Sequence, residues 1–94
     1  MEVSEATTLL EHAFRDAFGR RRHTNTPSYA ASIAAIRAAA EALTVAMKRS
    51  GATPEAVVLE LKRIARATGG FDYPRELVAV AMQEAIAVYF RPKP

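Results

Sequence analysis

His12 and Asp16 stand one helical turn apart, the spacing at which a carboxylate can orient an imidazole as a general base or share a metal ion with it. A first-row metal wants a third or fourth ligand, and only His23, Glu11 and Asp72 remain, none at a spacing that recommends it. On the polar face of an amphipathic helix the same pair is an ordinary solvated contact, and that is the expectation. The chain has no Gly-rich phosphate loop, no Gly-x-Ser-x-Gly elbow, no His-Glu-x-x-His and no Asp-rich calcium loop. It has no cysteine either, which removes disulfides, thiolate metal sites and thiol nucleophiles. The chemistry expected is that of a protein which is not an enzyme and holds no metal or cofactor.

Small helical bundles can carry phosphate on an exposed histidine. Histidine phosphotransfer domains are similar to this chain in size and helicity, but they place a lysine and a glycine soon after the histidine. Here His12 is followed by Ala13, Phe14, Arg15, Asp16, Ala17 and Phe18, so a phosphorelay is not expected.

Arg20, Arg21 and Arg22, followed by His23, form the one block of like charge. Joined by Lys48 and Arg49, and by Lys62, Arg63 and Arg66, they would make a basic face for nucleic acid, phosphate or an acidic partner. Most of these residues also close predicted helices, where a cation meets the negative end of the helix dipole; only the triple arginine exceeds what one terminus needs. A helix-turn-helix over Met47 to Arg66 would offer base edges Pro54, Glu55, Ala56 and Val57, an acidic and apolar start with few donors. Sequence-specific DNA binding is therefore not the leading expectation.

These residues are positioned by helices, because apolar residues recur at spacings of three and four and period-two alternation is absent. The expected fold class is all-α, a single compact four-helix domain over 1–94 with helices at about 4–19, 27–50, 54–68 and 73–91. The first segment puts Val3, Ala6, Leu10, Ala13, Phe14, Ala17 and Phe18 on one stripe, with Ser4 as its cap and Gly19 weakening its end. Thr26-Pro27 and Thr53-Pro54 each pair a hydroxyl cap with a proline suited to a first turn. The second segment carries Tyr29, Ile33, Ile36, Ala40, Leu43 and Met47 as a heptad-like seam, and its nine alanines from Ala30 to Ala46 predict close helix packing. In the third, Val57, Val58, Leu61, Ile64 and Ala65 point inward and Leu59 falls on the polar side; Gly69-Gly70 then supplies a left-handed stop, and Asp72-Tyr73-Pro74 starts the last helix.

The last segment is the unusual one. Projected at 100° per residue, Leu77, Val88, Ala81, Ala85, Val78, Tyr89, Met82, Ile86, Ala79 and Phe90 fill a continuous apolar arc of roughly 220°. Either the other three helices enclose this one, or its flank of Met82, Ile86, Tyr89 and Phe90, with Phe71 and Tyr73 at the entrance, faces another molecule. Methionine and aromatic side chains suit the core of an interface.

Composition sets the outer bounds. Twenty of the 47 apolar residues are alanine, leaving 27 larger groups to form the core. The net charge of +3 is evenly spread, with seven basic against five acidic residues up to Ser50 and six against five after it. The acidic opening Met1-Glu2-Val3-Ser4-Glu5 lacks the basic region of a secretory signal. The run Leu77 to Phe90 falls short of the roughly 20 residues a bilayer span needs. A cytoplasmic location with no membrane partner is the expectation. The stretch Gly51-Ala52-Thr53-Pro54-Glu55-Ala56-Val57 through Leu61-Lys62, with the closing Tyr89-Phe90-Arg91, resembles small helical proteins of GC-rich bacteria, a resemblance that implies no activity and no binding residues. Two functions follow: self-association as a homodimer, or docking to a protein partner, through the last helix; alternatively, nucleic-acid or anion binding through Arg20, Arg21 and Arg22.

Overall fold

Two threonine-proline pairs set two of the four helix starts. The Thr26 hydroxyl accepts the N–H of Tyr29 at 3.2 Å and that of Thr53 accepts Ala56 N–H at 3.1 Å, each with proline as the first helical residue. The protein is seen as a computed structural model that describes residues 1–20, 26–70 and 73–92. It is all-α, with helices α1 (Val3–Gly19), α2 (Pro27–Arg49), α3 (Pro54–Gly69) and α4 (Arg75–Tyr89). Gly51 at φ +87° and Gly70 at φ +70° supply the backbone that ends α2 and α3, a conformation other residues adopt at a cost.

Two helix starts differ from expectation for local reasons, while α1 ends at Gly19 as expected. Ser4 is not the cap of α1: the helix begins at Val3 after an extended Glu2, no side chain caps it, and Ser4 offers its carbonyl to the Thr8 hydroxyl inside the first turns. Gly19 closes α1 as an ordinary helical residue without positive φ. Helix α4 starts at Arg75 rather than 73, because a residue before proline is steered away from helical backbone, which leaves Tyr73 outside and Pro74 as the extended cap accepting Leu77 and Val78 N–H. Phe71 and Asp72 lie outside the described residues.

Packing follows the predicted stripes. Ala6, Leu10, Ala13, Phe14 and Ala17 of α1 are buried with Ile36, Ala40 and Leu43 of α2, Val57, Leu61, Ile64 and Ala65 of α3, and Leu77, Val78, Ala81 and Ala85 of α4. Helix α1 packs on α2 and α3, and α4 also packs on α2 and α3, so the α1/α4 and α2/α3 pairs lie across the diagonals. Asp16 reaches Ser32, Gly69 abuts Phe18 and Lys48 reaches Tyr89, so α1 and α3 run one way and α2 and α4 the other. A Cβ on Gly69 would lie 2.9 Å from both the Phe18 ring and Tyr73 Cβ; its missing side chain lets the three chain segments meet.

The alanines of α2 divide unexpectedly. Ala39, Ala40 and Ala46 are buried, as close packing requires, but Ala30, Ala31, Ala34, Ala35 and Ala38 are exposed. They also make α2, by length and composition, a helix long and apolar enough to cross a membrane. Here Ile36 and Leu43 are fully buried in the common core, and Tyr29, Ile33, Val45 and Met47 are half-buried.

Candidate docking surface

Burial falls in order around the apolar arc of α4. Leu77, Val88, Ala81, Ala85 and Val78 are buried; Tyr89 and Met82, next in angle, are half-buried; Ile86, Ala79 and Phe90, at the far edge, are exposed. The three companion helices cover roughly the first 100° of the arc and leave its last third to solvent. Ile86 is 48% exposed and Phe90 66%, two large apolar side chains one turn apart on the same row. The uncovered edge borders α3, where Ile86 meets Pro54, Val57 and Val58 across a shallow crevice.

The opposite edge of α4 is closed by polar contacts. Arg91 lies 3.5 Å from Glu41 of α2 and 4.0 Å from Glu84. Lys48 donates to the Tyr89 carbonyl at 2.5 Å, and its ammonium stands 4.9 Å from the centre of the Tyr89 ring. A groove of about 530 Å³ between α2 and the end of α4 is rimmed by Glu41, Lys48, Arg49 and Arg91, of which Glu41 and Arg91 pair with each other. The two flanks of one helix therefore differ: the groove side ends in the ion pairs of Arg91, whereas on the other Ile86 and Phe90 are bare hydrocarbon and Tyr89 alone meets a cation, Lys48.

Tyr89 is used within the chain as well as at the surface. Its hydroxyl donates to Ala52 O at 2.7 Å, tying α4 to the turn before α3, while its ring meets Phe90 edge-on at 5.2 Å between centroids. It thus fixes the direction in which Phe90 projects. Tyr73, expected at the entrance of this surface, is half-buried against the core instead.

The basic residues do not share one face. Arg20 lies near the start of α2, where neighbouring Asp16 reaches Ser32, and Lys48-Arg49 are the last residues of that helix, a rod of roughly 34 Å at 1.5 Å per residue. Arg20 Nε donates to Asp16 Oδ1 at 3.1 Å, and Arg63 pairs with Glu60. Arg21, Arg22 and His23 lie outside the described residues. Asp16 does not engage His12. Its second oxygen accepts the hydroxyl of buried Ser32 at 2.6 Å, and these bonds, Ser32 first and Arg20 second, hold its carboxyl below the usual range. Among the described residues no three His, Asp or Glu side chains converge on a metal position.

A further apolar surface is not marked by any spacing in the sequence. Between α1 and α2 a groove of about 550 Å³ is lined by Leu9, His12, Ala35, Ala38 and Ala42, with Leu9 44% exposed. Its signal lies in the alanine run, but alanine contributes little area and suits close helix packing equally well. No protein-family model, no curated protein and no solved structure matches the chain.

Proposed function

We propose that the protein acts by association rather than catalysis, docking through the flank of α4 formed by Met82, Ile86, Tyr89 and Phe90, in the cytoplasm and in its simplest form with a second copy. The observation that carries this reading is the ordered loss of burial around α4, which leaves Ile86 and Phe90 in water on a row held rigid by a helix. Scattered single apolar residues are normal on a protein surface, but a row flanked by half-buried Met82 and Tyr89 concentrates what an interface core uses.

Light scattering tests it. The parent at high micromolar concentration should be heavier than the 10.2 kDa chain, and Met82→Glu combined with Ile86→Glu should return it to that mass. A parent already at the mass of one chain contradicts association with itself. Salt separates this reading from an anion-binding role for Arg20, Arg21 and Arg22: phosphate-driven binding weakens steeply between low and physiological salt, whereas an apolar contact changes little. The pairing of Arg20 with Asp16 favours the apolar reading.

A further inference from the structure

Beyond the docking reading and independent of it, we infer that the groove between α2 and the end of α4 binds a small amphipathic monoanion, an unbranched carboxylate whose chain lies along the floor and whose head group meets Arg49. The groove holds about 530 Å³, within the roughly 300–1,000 Å³ of small-molecule sites, and lies between two helices of a bundle, where such sites commonly form. Its floor is apolar. Val88 is buried and Val45 half-buried, while fully buried Thr44 turns its hydroxyl onto Ala40 O at 2.7 Å, within its own helix. No buried side-chain polar atom among the described residues lacks a partner, so the floor asks for hydrocarbon and not for a hydrogen bond.

The rim sets the charge of the occupant. Arg91 is shared between Glu41 and Glu84, and Lys48 donates to the Tyr89 carbonyl, closing the negative end of α4. Arg49 makes no ion pair among the described residues. Three cations, Lys48, Arg49 and Arg91, thus stand against two carboxylates, an excess of one that a monoanion balances and a phosphate monoester, at about −1.5 to −2, overshoots. The donors agree with that count: an ammonium has three protons, of which Lys48 gives one to Tyr89 O, and the fork of Arg49 fits both oxygens of a carboxylate. Two other surfaces lack this combination of floor and charge. The α1/α2 groove is lined with alanine, and the acid beside it, Asp16, already has Arg20 and Ser32 as partners. Lys62, Arg63 and Arg66 form a basic patch on the outside of α3, but the large apolar side chain among them is Leu59 alone.

Decanoate is the probe, titrated into isotope-labelled protein below its micelle concentration and followed by NMR. The amide shifts of Thr44, Val45, Lys48 and Val88 should move saturably, with a Kd of about 1 mM or tighter for a ligand of this size. Acetate, which has the head without the chain, and decyltrimethylammonium, which has the chain with the opposite charge, should leave those shifts in place at the same concentrations. Arg49→Gln, an exposed substitution, should weaken decanoate binding roughly 10-fold, and Val45→Glu should abolish it, each variant first checked for helicity. Met82→Glu with Ile86→Glu should bind decanoate as the parent does, which separates this inference from the docking reading. Equal shifts with decyltrimethylammonium would reduce the groove to an unselective apolar surface, and shifts centred on Leu9 or Ile86 would place the chain on another face. Either result overturns the inference, as does a titration that never saturates or an Arg49→Gln variant that binds as tightly as the parent.

Discussion

At the scale of single residues, two polar contacts fasten the helices that carry the flank. Tyr89→Phe deletes the hydroxyl that donates to Ala52 O and should cost about 0.5–1.5 kcal/mol by urea unfolding, the worth of one hydrogen bond. An unchanged midpoint would mean that water replaces the contact freely. Asp16 makes a prediction about pH. Ser32 and Arg20 lower its carboxyl in the folded state, so their stabilising effect is complete above the unfolded value of about 3.9 and is lost as pH falls through the lowered folded value. The stability difference between the parent and Ser32→Ala should therefore be full at neutral pH, hold down to the unfolded value of about 3.9 and shrink only below it. A difference independent of pH would assign the Ser32 contribution to its secondary acceptor, Ser28 O at 3.1 Å, or to packing.

At the scale of elements, two glycines within helices should respond with opposite sign. Gly69→Ala drives a methyl group into Phe18 and Tyr73 and should destabilise by about 1–3 kcal/mol. Gly19→Ala meets open space in ordinary helical backbone and should stabilise by about 0.5–1 kcal/mol. Thermal melts read both, because about 1 kcal/mol moves Tm by about 4–8 °C in a domain of this size. The same elements mark what the sequence makes legible. The hydroxyl-proline starts of α2 and α3 were readable because cap and proline act within one turn. The start of α4 was not, because Pro74 reads equally as a first helical residue or as a cap, and only the chain around it decides. The inward stripes were legible from period alone, as Leu10, Ile36, Leu61 and Leu77 illustrate. Which alanines of α2 would meet water was not, since alanine marks neither face.

For the whole molecule, the question is how much apolar perimeter three helices can cover when so many of their side chains are alanine. Larger apolar groups such as Leu10, Phe14, Ile36, Leu43, Leu61 and Leu77 fill one core, and the arc of α4 extends beyond it. The width of that arc was readable from the sequence. Where the cover stops was not, because it depends on α3 lying beside α4 while α1 lies across the diagonal. Substitutions on the uncovered row should accordingly separate association from folding: Ile86→Glu should change the stability of the single chain by no more than about 0.5 kcal/mol, whereas Leu61→Ala, fully buried, should cost about 2–5 kcal/mol. The most direct test of the α4 surface is a dilution series followed by NMR on isotope-labelled protein. The shifts that change with concentration should belong to the flank of Met82, Ile86, Tyr89 and Phe90 and leave the α1/α2 groove around Leu9 and Ala38 unmoved. Spectra that do not change on dilution, or changes confined to that alanine-lined groove, would contradict it.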